Sequence, residues 1–237
     1  RMRRDGRLLR SWKDGEAKLN GYLEDYAMVA RGLLALHAAG GGTEWFVWAR
    51  QLADHILAHF VDDERGGFFD TSDDHEQLIS RPKDVTDNAT PSGNSVAVEV
   101  LLMLAALTGD DRYREAGERP LRSLTDLLAR EPRYFGHALS AYDRATADAP
   151  EVAVVGVLCD PGLEALLSVC WEGFRPNVVI AAGEPDSPDV PLLAGRLQSD
   201  GKATAYVCRN FACRLPVNDP RALAAQLDEA PVKFRDV

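Results

Sequence analysis

The sequence has few cysteines, and they form none of the patterns that give cysteine an obvious task. Cys159, Cys170, Cys208 and Cys213 are the four. None belongs to a Cys-x-x-Cys pair, and four residues between Cys208 and Cys213 is not a usual zinc spacing. Reduced, partly buried thiols are the expectation. A long apolar run is also missing. The longest, Val96 to Leu107, is too short to span a bilayer and contains Glu99. No charged-then-apolar leader opens the chain, so the sequence predicts a cytoplasmic protein with no membrane partner. Basic residues are in deficit: 27 Lys and Arg stand against 37 Asp and Glu, a formal net charge of -10. Nucleic acid is therefore not an expected partner, because phosphate binding needs a concentrated positive face. No Gly-x-Gly-x-x-Gly or phosphate-loop string follows any expected strand, and no cofactor is expected. His37, His55, His59 and His75 lack metal-ligand spacing. His55 and His59 lie four apart on a helix, yet no nearby acid completes a zinc motif, so no metal is expected. Asp70, Asp74 and Glu76 have a calcium-like density of acids but lack the mid-loop glycine of an EF-hand.

What is present is enough apolar material for a core: 46% of 237 residues, with 27% charged. Gly6 to Trp12 reads as a short strand, and Asp14-Gly15 as a tight reversal. From Asn20 the period becomes helical. Tyr22, Leu23, Tyr26, Val29, Ala30, Leu33, Leu34 and Leu36 share one broad face. Gly40-Gly41-Gly42 ends that helix and Thr43 starts the next, which carries Phe46, Leu52, Ile56 and Phe60. The arrangement returns 68 residues later. Leu33, Leu34 and Leu36 align with Leu101, Leu102 and Leu104, and Phe60 with Leu128, giving helices at about 90–107 and 111–130. Repeated hairpins stack because each has an apolar side that only a neighbour covers. After Ala149 strand candidates (151–158, 176–182, 203–208) alternate with helical ones (161–170, a short 192–197, and 220–227 capped by Asp219). That pattern predicts a small, largely parallel α/β lobe over 150–237, following a helical-hairpin region over 1–149.

Two stretches concentrate polar groups at corresponding helix starts. One is Gly21 to Ala27. The other runs from Arg81 through Asp87, Asn88, Ser92, Asn94 and Ser95. Stacked hairpins bring such ends to one rim, where free helix N–H groups favour an anionic or hydroxyl-rich ligand. Glu24, Asp25 and Asp87 are the acid/base candidates, since carboxylates in different environments divide acid and base work. Glu24 and Asp25 point about 100° apart on a helix, so a facing pair needs Asp87 across the rim. Arg81, Asn88, Ser92 and Asn94 are candidates for holding substrate, and Tyr22, Tyr26 or Trp12 for stacking on a sugar ring. The same residues have structural uses. First-turn acids are stabilising through the helix dipole, Ser92 and Asn94 organise a turn, Arg81 pairs with Asp87, and His137 is an ordinary structural histidine.

Four strings, Gly21-Tyr22-Leu23-Glu24-Asp25-Tyr26-Ala27, Gly66-Gly67-Phe68-Phe69-Asp70-Thr71, Arg81-Pro82-Lys83-Asp84 and Ala89 to Ser95, with Tyr206-Val-Cys208 and Cys213, resemble the C-terminal part of the YyaL / spermatogenesis-associated protein 20 family of thioredoxin domain-containing proteins. The resemblance implies a mainly α fold: a partial (α/α)6 toroid of antiparallel helical hairpins, like that of six-hairpin glycosidases, followed by the α/β lobe. It also implies a carbohydrate ligand, with epimerase, isomerase or glycoside hydrolase-like acid/base chemistry. Against that stands a non-catalytic interaction or regulatory module, whose partner is the family's N-terminal thioredoxin-like domain, absent from this chain. A third alternative is thiol chemistry at Cys208 and Cys213.

Overall fold

A computed structural model describes residues 1–4, 6–75, 80–209 and 212–229. Among these the chain is mainly α, with two small sheets. It divides into two compact units. One comprises residues 1–36, 44–105 and 110–145, and the other residues 37–43, 106–109 and 146–237.

The first unit opens with an antiparallel sheet, β1 (Arg3–Arg4), β2 (Arg7–Lys13) and β3 (Glu16–Asn20). The Asp14-Gly15 reversal joins β2 to β3, and both residues adopt positive φ, 52° and 82°. That conformation suits the right-handed twist of a two-residue hairpin. Two helix pairs follow: α1 (Leu23–Ala38) with α2 (Thr43–His59), and α3 (Gly93–Thr108) with α4 (Asp111–Arg130). The starts of α2 and α4 lie 68 residues apart, as the repeat predicts. The buried stripe is narrower than its sequence pattern. Leu23, Tyr26, Ala30, Leu33 and Leu34 are buried on α1, whereas Val29 and Leu36 are exposed. Apolar residues occur all round this 16-residue helix, and those outside the core-facing arc stay exposed. Helices α3 and α4 approach closely at Gly117, where a Cβ would lie 3.1 Å from Leu102 Cγ. The sequence pattern missed α5 (Gly136–Thr146) and the single turn before it.

The second unit contains β4 (Glu151–Val155), α6 (Pro161–Trp171), β5 (Val179–Gly183), β6 (Thr204–Arg209), β7 (Ala212–Cys213) and α7 (Pro220–Asp228). Val152, Val154, Ile180, Ala182 and Val207 of the sheet bury against Leu163, Leu166 and Cys170 of α6 and Leu223 and Leu227 of α7. Asp160 caps α6 through the Gly162 and Leu163 N–H groups, and Asp219 caps α7 through Ala222 N–H at 3.0 Å. Two expectations fail here. The sheet, ordered β5-β4-β6-β7, is mixed: only β4–β5 is parallel, and the β4–β6 and β6–β7 pairings are antiparallel. Parallel pairing needs a crossover, and only α6 supplies one. Residues 192–195 form turns and 196 and 197 no regular element, in place of the expected helix, with Gly195 at φ 71°.

Cys208 and Cys213 face each other in register across β6 and β7 and are joined as a disulfide. The expectation of reduced thiols is thereby corrected for this pair. A zinc or Cys-x-x-Cys spacing rule does not register two cysteines brought opposite each other by a strand pairing. Cys170 is buried and free, and Cys159 is exposed and free.

Candidate functional site

The starts of α1 and α3 abut. A Cβ on Gly93 would lie 2.9 Å from the Glu24 backbone nitrogen and 3.1 Å from Leu23 Cγ, so only glycine allows this approach. Residues 61–75 and 80–92 are folded over these two ends by backbone and side-chain bonds. Leu23 N–H donates to Asp70 O at 2.9 Å, and Asp70 N–H donates to Pro82 O at 2.8 Å. Asn94, buried, holds two of the strings together. Its Oδ1 accepts from Phe68 N–H at 2.8 Å, and its Nδ2 donates to Phe68 O and Asp84 O, each at 2.9 Å. Lys83 donates to the Asp62 carboxylate at 2.9 Å and to Gly66 O. Asp62, which also accepts from the Glu64 and Arg65 N–H groups, is held below the usual carboxylate range by these bonds despite its burial.

Between these parts lies a hollow of about 290 Å³. Three carboxylates line it: Glu24, Asp70 and Asp84. Neutral groups supply the rest of its polar wall, from Tyr22, Thr71, Thr86, Asn88, Thr90 and Ser92. Asp70 accepts from Asp84 N–H at 3.1 Å, which favours its charged form. Burial outweighs that bond, and the charges of Asp84 and Glu24 add to burial, so the Asp70 pKa is raised. Arg10 pairs with the Glu24 carboxylate, its Nη2 2.8 Å from Oε1, while its Nη1 lies 3.0 Å from Asp25 Oδ2 and its guanidinium 4.2 Å over the Tyr22 ring.

Of the residues singled out in the sequence, Tyr22, Glu24, Asn88 and Ser92 come together on this hollow. Six others do not line it; one of them, Trp12, is exposed on β2. Asp25 turns back to accept from Tyr22 N–H at 2.8 Å, starting α1. Asp87 accepts from Ser92 N–H at 2.9 Å and from the α5 N–H groups of His137 and Ala138 at 2.8 and 3.1 Å. Arg81 donates to His59 O at 3.0 Å and to Thr71 O, with its guanidinium 4.1 Å from the Phe69 ring centre, so it does not pair with Asp87. Asn94 faces a second, largely apolar cavity of about 170 Å³ beside Gly67, Lys83, Val98 and Leu121. Tyr26 is in the core: it is 2% exposed, its hydroxyl accepts from Leu8 N–H at 2.9 Å, and its ring stacks on His55 at 4.7 Å. Sequence reasoning assigned no role to Asp70, Asp84, Thr71, Thr86 or Thr90. Asp70 and Asp84 do sit inside the strings that carry the family resemblance, so the signal was present as text without a spatial partner.

His59 illustrates the same point. The acids that meet it are not the nearest in sequence, Asp62 and Asp63: Asp73 Oδ1 lies 2.8 Å from its Nδ1, and Asp74 joins them. Such a trio is of a kind that holds a divalent cation. Here Arg7, bonded to Asp74, already supplies positive charge. Of the remaining calcium-like acids, Asp70 belongs to the hollow, and Glu76 lies outside the described residues.

No family model matches the chain. Over 206 residues, 84% of this chain, it is 32% identical to human spermatogenesis-associated protein 20, and over 215 residues, 88%, it is 31% identical to the rat protein of that name. The chain belongs to the spermatogenesis-associated protein 20 family. It is also 26% identical over 210 residues to an uncharacterized protein of Caenorhabditis elegans. The chain spans about a quarter of the length of the curated relatives it matches, 26% of the human protein and 27% of the rat one. Among the described residues no helix is long and apolar enough to cross a membrane.

Proposed function

We propose that the hollow between α1 and α3 binds a carbohydrate and performs acid/base chemistry on it, as an epimerase, isomerase or glycoside hydrolase-like site. The observation that carries this reading is the convergence of Glu24, Asp70 and Asp84 in one hollow otherwise lined by hydroxyl and amide groups. Three carboxylates disfavour an anionic ligand, which favours the hydroxyl-rich one of the two that free helix N–H groups suggest. A polyhydroxylated neutral molecule suits them, since carboxylates accept from hydroxyls while Asn88, Ser92 and the threonines donate or accept as needed. Asp70, its pKa raised by burial, is the proton donor, and Glu24 is the acceptor. Asp25 and Asp87, with their oxygens engaged by backbone N–H groups, hold the helix entries in place instead of reacting. Tyr22 offers a ring face for a sugar at the edge.

The architecture that goes with this reading is a partial (α/α)6 toroid over residues 1–149 and an α/β lobe over 150–237. The abutting starts of α1 and α3 support it, because hairpins lying side by side must bring equivalent ends to one rim. The test is a saturation-transfer NMR screen of neutral mono- and disaccharides against the chain. At least one sugar should give a signal that Glu24→Gln and Asp70→Asn weaken and Asp25→Asn leaves in place. A screen with no responding sugar, or signals indifferent to Glu24→Gln and Asp70→Asn, would reject the hollow as a sugar site.

A further inference from the structure

The second unit contains a buried cation aimed at its disulfide. Arg196 is 8% exposed, and its Nη2 lies 3.4 Å from Cys208 Sγ and 3.1 Å from Cys213 Sγ. Its Nε is buried without a hydrogen-bond partner among the described residues, and Nη1 reaches only Ala194 O, at 3.4 Å. Burial lowers its pKa, opposed by the charges of Glu151 and Tyr206, whose ring centre is 5.9 Å away. Disulfide sulfurs are weak acceptors, so a guanidinium pointed at two of them is poorly compensated. A thiolate at either position would compensate it. The two sulfurs also differ in access, since Cys208 is buried and Cys213 lies on the exposed strand β7.

We propose that Cys208–Cys213 with Arg196 is a thiol–disulfide exchange site that accepts two electrons from a dithiol. The donor's thiolate attacks Cys213 Sγ, forming a mixed disulfide as the Cys208–Cys213 bond breaks. Cys208 leaves with the electron pair as a thiolate beside Arg196. The donor's second thiol, its proton lost to solvent, attacks the donor sulfur of the mixed disulfide and releases Cys213. The donor ends as a disulfide, and Cys208 and Cys213 end reduced, each protonated or held as thiolate by Arg196. A cation beside the sulfurs lowers the thiol pKa, speeds departure of Cys208 and biases the pair toward its reduced form. This site is independent of the hollow and of any sugar chemistry there.

The experiment uses the purified chain with dithiothreitol as the dithiol. Alkylation by iodoacetamide is followed residue by residue by peptide mass, which separates Cys213 from free Cys159. After reduction, the rate at Cys213 should reach its half-maximum at a pH below the ordinary thiol value of about 8.5. Arg196→Met should slow that alkylation at pH 7 about tenfold and shift the equilibrium with dithiothreitol about tenfold toward the protein disulfide, while Arg196→Lys stays nearer wild type. A wild-type half-maximum at or above the ordinary value overturns the proposal, and that measurement stands even where Arg196→Met does not fold. Equal rates and equilibria in folded Arg196→Met overturn it as well.

Discussion

Adding one methyl group at Gly93 tests the approach of α1 and α3 on which the hollow depends. In Gly93→Ala the new Cβ would meet the Glu24 backbone nitrogen at 2.9 Å and the Leu23 side chain at 3.1 and 3.2 Å. The backbone there has little room to yield, because Leu23 N–H is bonded to Asp70 O and Tyr22 N–H to Asp25. Overpacking of this kind costs about 1–3 kcal/mol. Alanine returns at most ~1 kcal/mol of helix propensity, and less in a first turn. The net expectation is a loss of about 1–2 kcal/mol. Gly32, exposed in the interior of α1, provides the control. A Cβ there meets nothing within 4 Å, so Gly32→Ala should stabilise by roughly 0.5–1 kcal/mol. One chemical change thus has opposite signs at two helical positions, and the gap of roughly 1.5–3 kcal/mol is read from urea midpoints followed by circular dichroism at 222 nm. If Gly93→Ala matched or exceeded wild type, as Gly32→Ala should, the helix starts do not abut and the shared hollow goes with them.

Asn94→Ala removes three bonds and leaves Phe68 N–H, Phe68 O and Asp84 O unpaired in partly buried surroundings. A loss of about 3 kcal/mol in urea unfolding is expected, and a loss under ~1 kcal/mol would show that Asn94 does not hold the strings together. Asp87→Ala frees the Ser92, His137 and Ala138 N–H groups, so it should lower stability by about 2 kcal/mol and speed amide exchange at the start of α5. Unchanged exchange at residues 137 and 138 would contradict this. His55 has its pKa lowered to about 4 by burial first, then by the charges of His59 and Arg7. Between its unfolded value near 6.5 and about 4, the unfolded chain binds a proton that the folded one does not, so stability falls as pH drops through that window. Partial exposure limits the effect to ~1–2 kcal/mol. His55→Phe should flatten the decline in Tm between pH 6.5 and 4, and an equally steep decline in the variant would assign the acid loss elsewhere.

Local periodicity and punctuation were sufficient for most of the elements. The hairpin at Asp14-Gly15, the four main helices and their 68-residue spacing, and the cap at Asp219 are all encoded within a few residues of where they act. Backbone dihedral preferences and short-range hydrogen bonds are properties of neighbours in sequence, so they are readable there. Part of the hollow was readable for the same reason: Tyr22, Glu24, Asn88 and Ser92 follow from equivalent helix starts in a repeat.

Everything that depends on which side chain meets which across long loops was decided by tertiary structure. Asp25 and Asp87 look like reacting acids in the sequence, and only the fold shows their oxygens bonded to backbone N–H groups. Asp70 acquires its raised pKa from burial and from two carboxylates that are 14 and 46 residues away in sequence. Asp73 reaches His59 across 14 residues, and Cys208 and Cys213 meet with Arg196 through a strand register and a turn that replaced an expected helix. Charge, burial and acceptor supply at a point in space are sums over all nearby groups, and a linear pattern contains no term for neighbours that folding alone brings close.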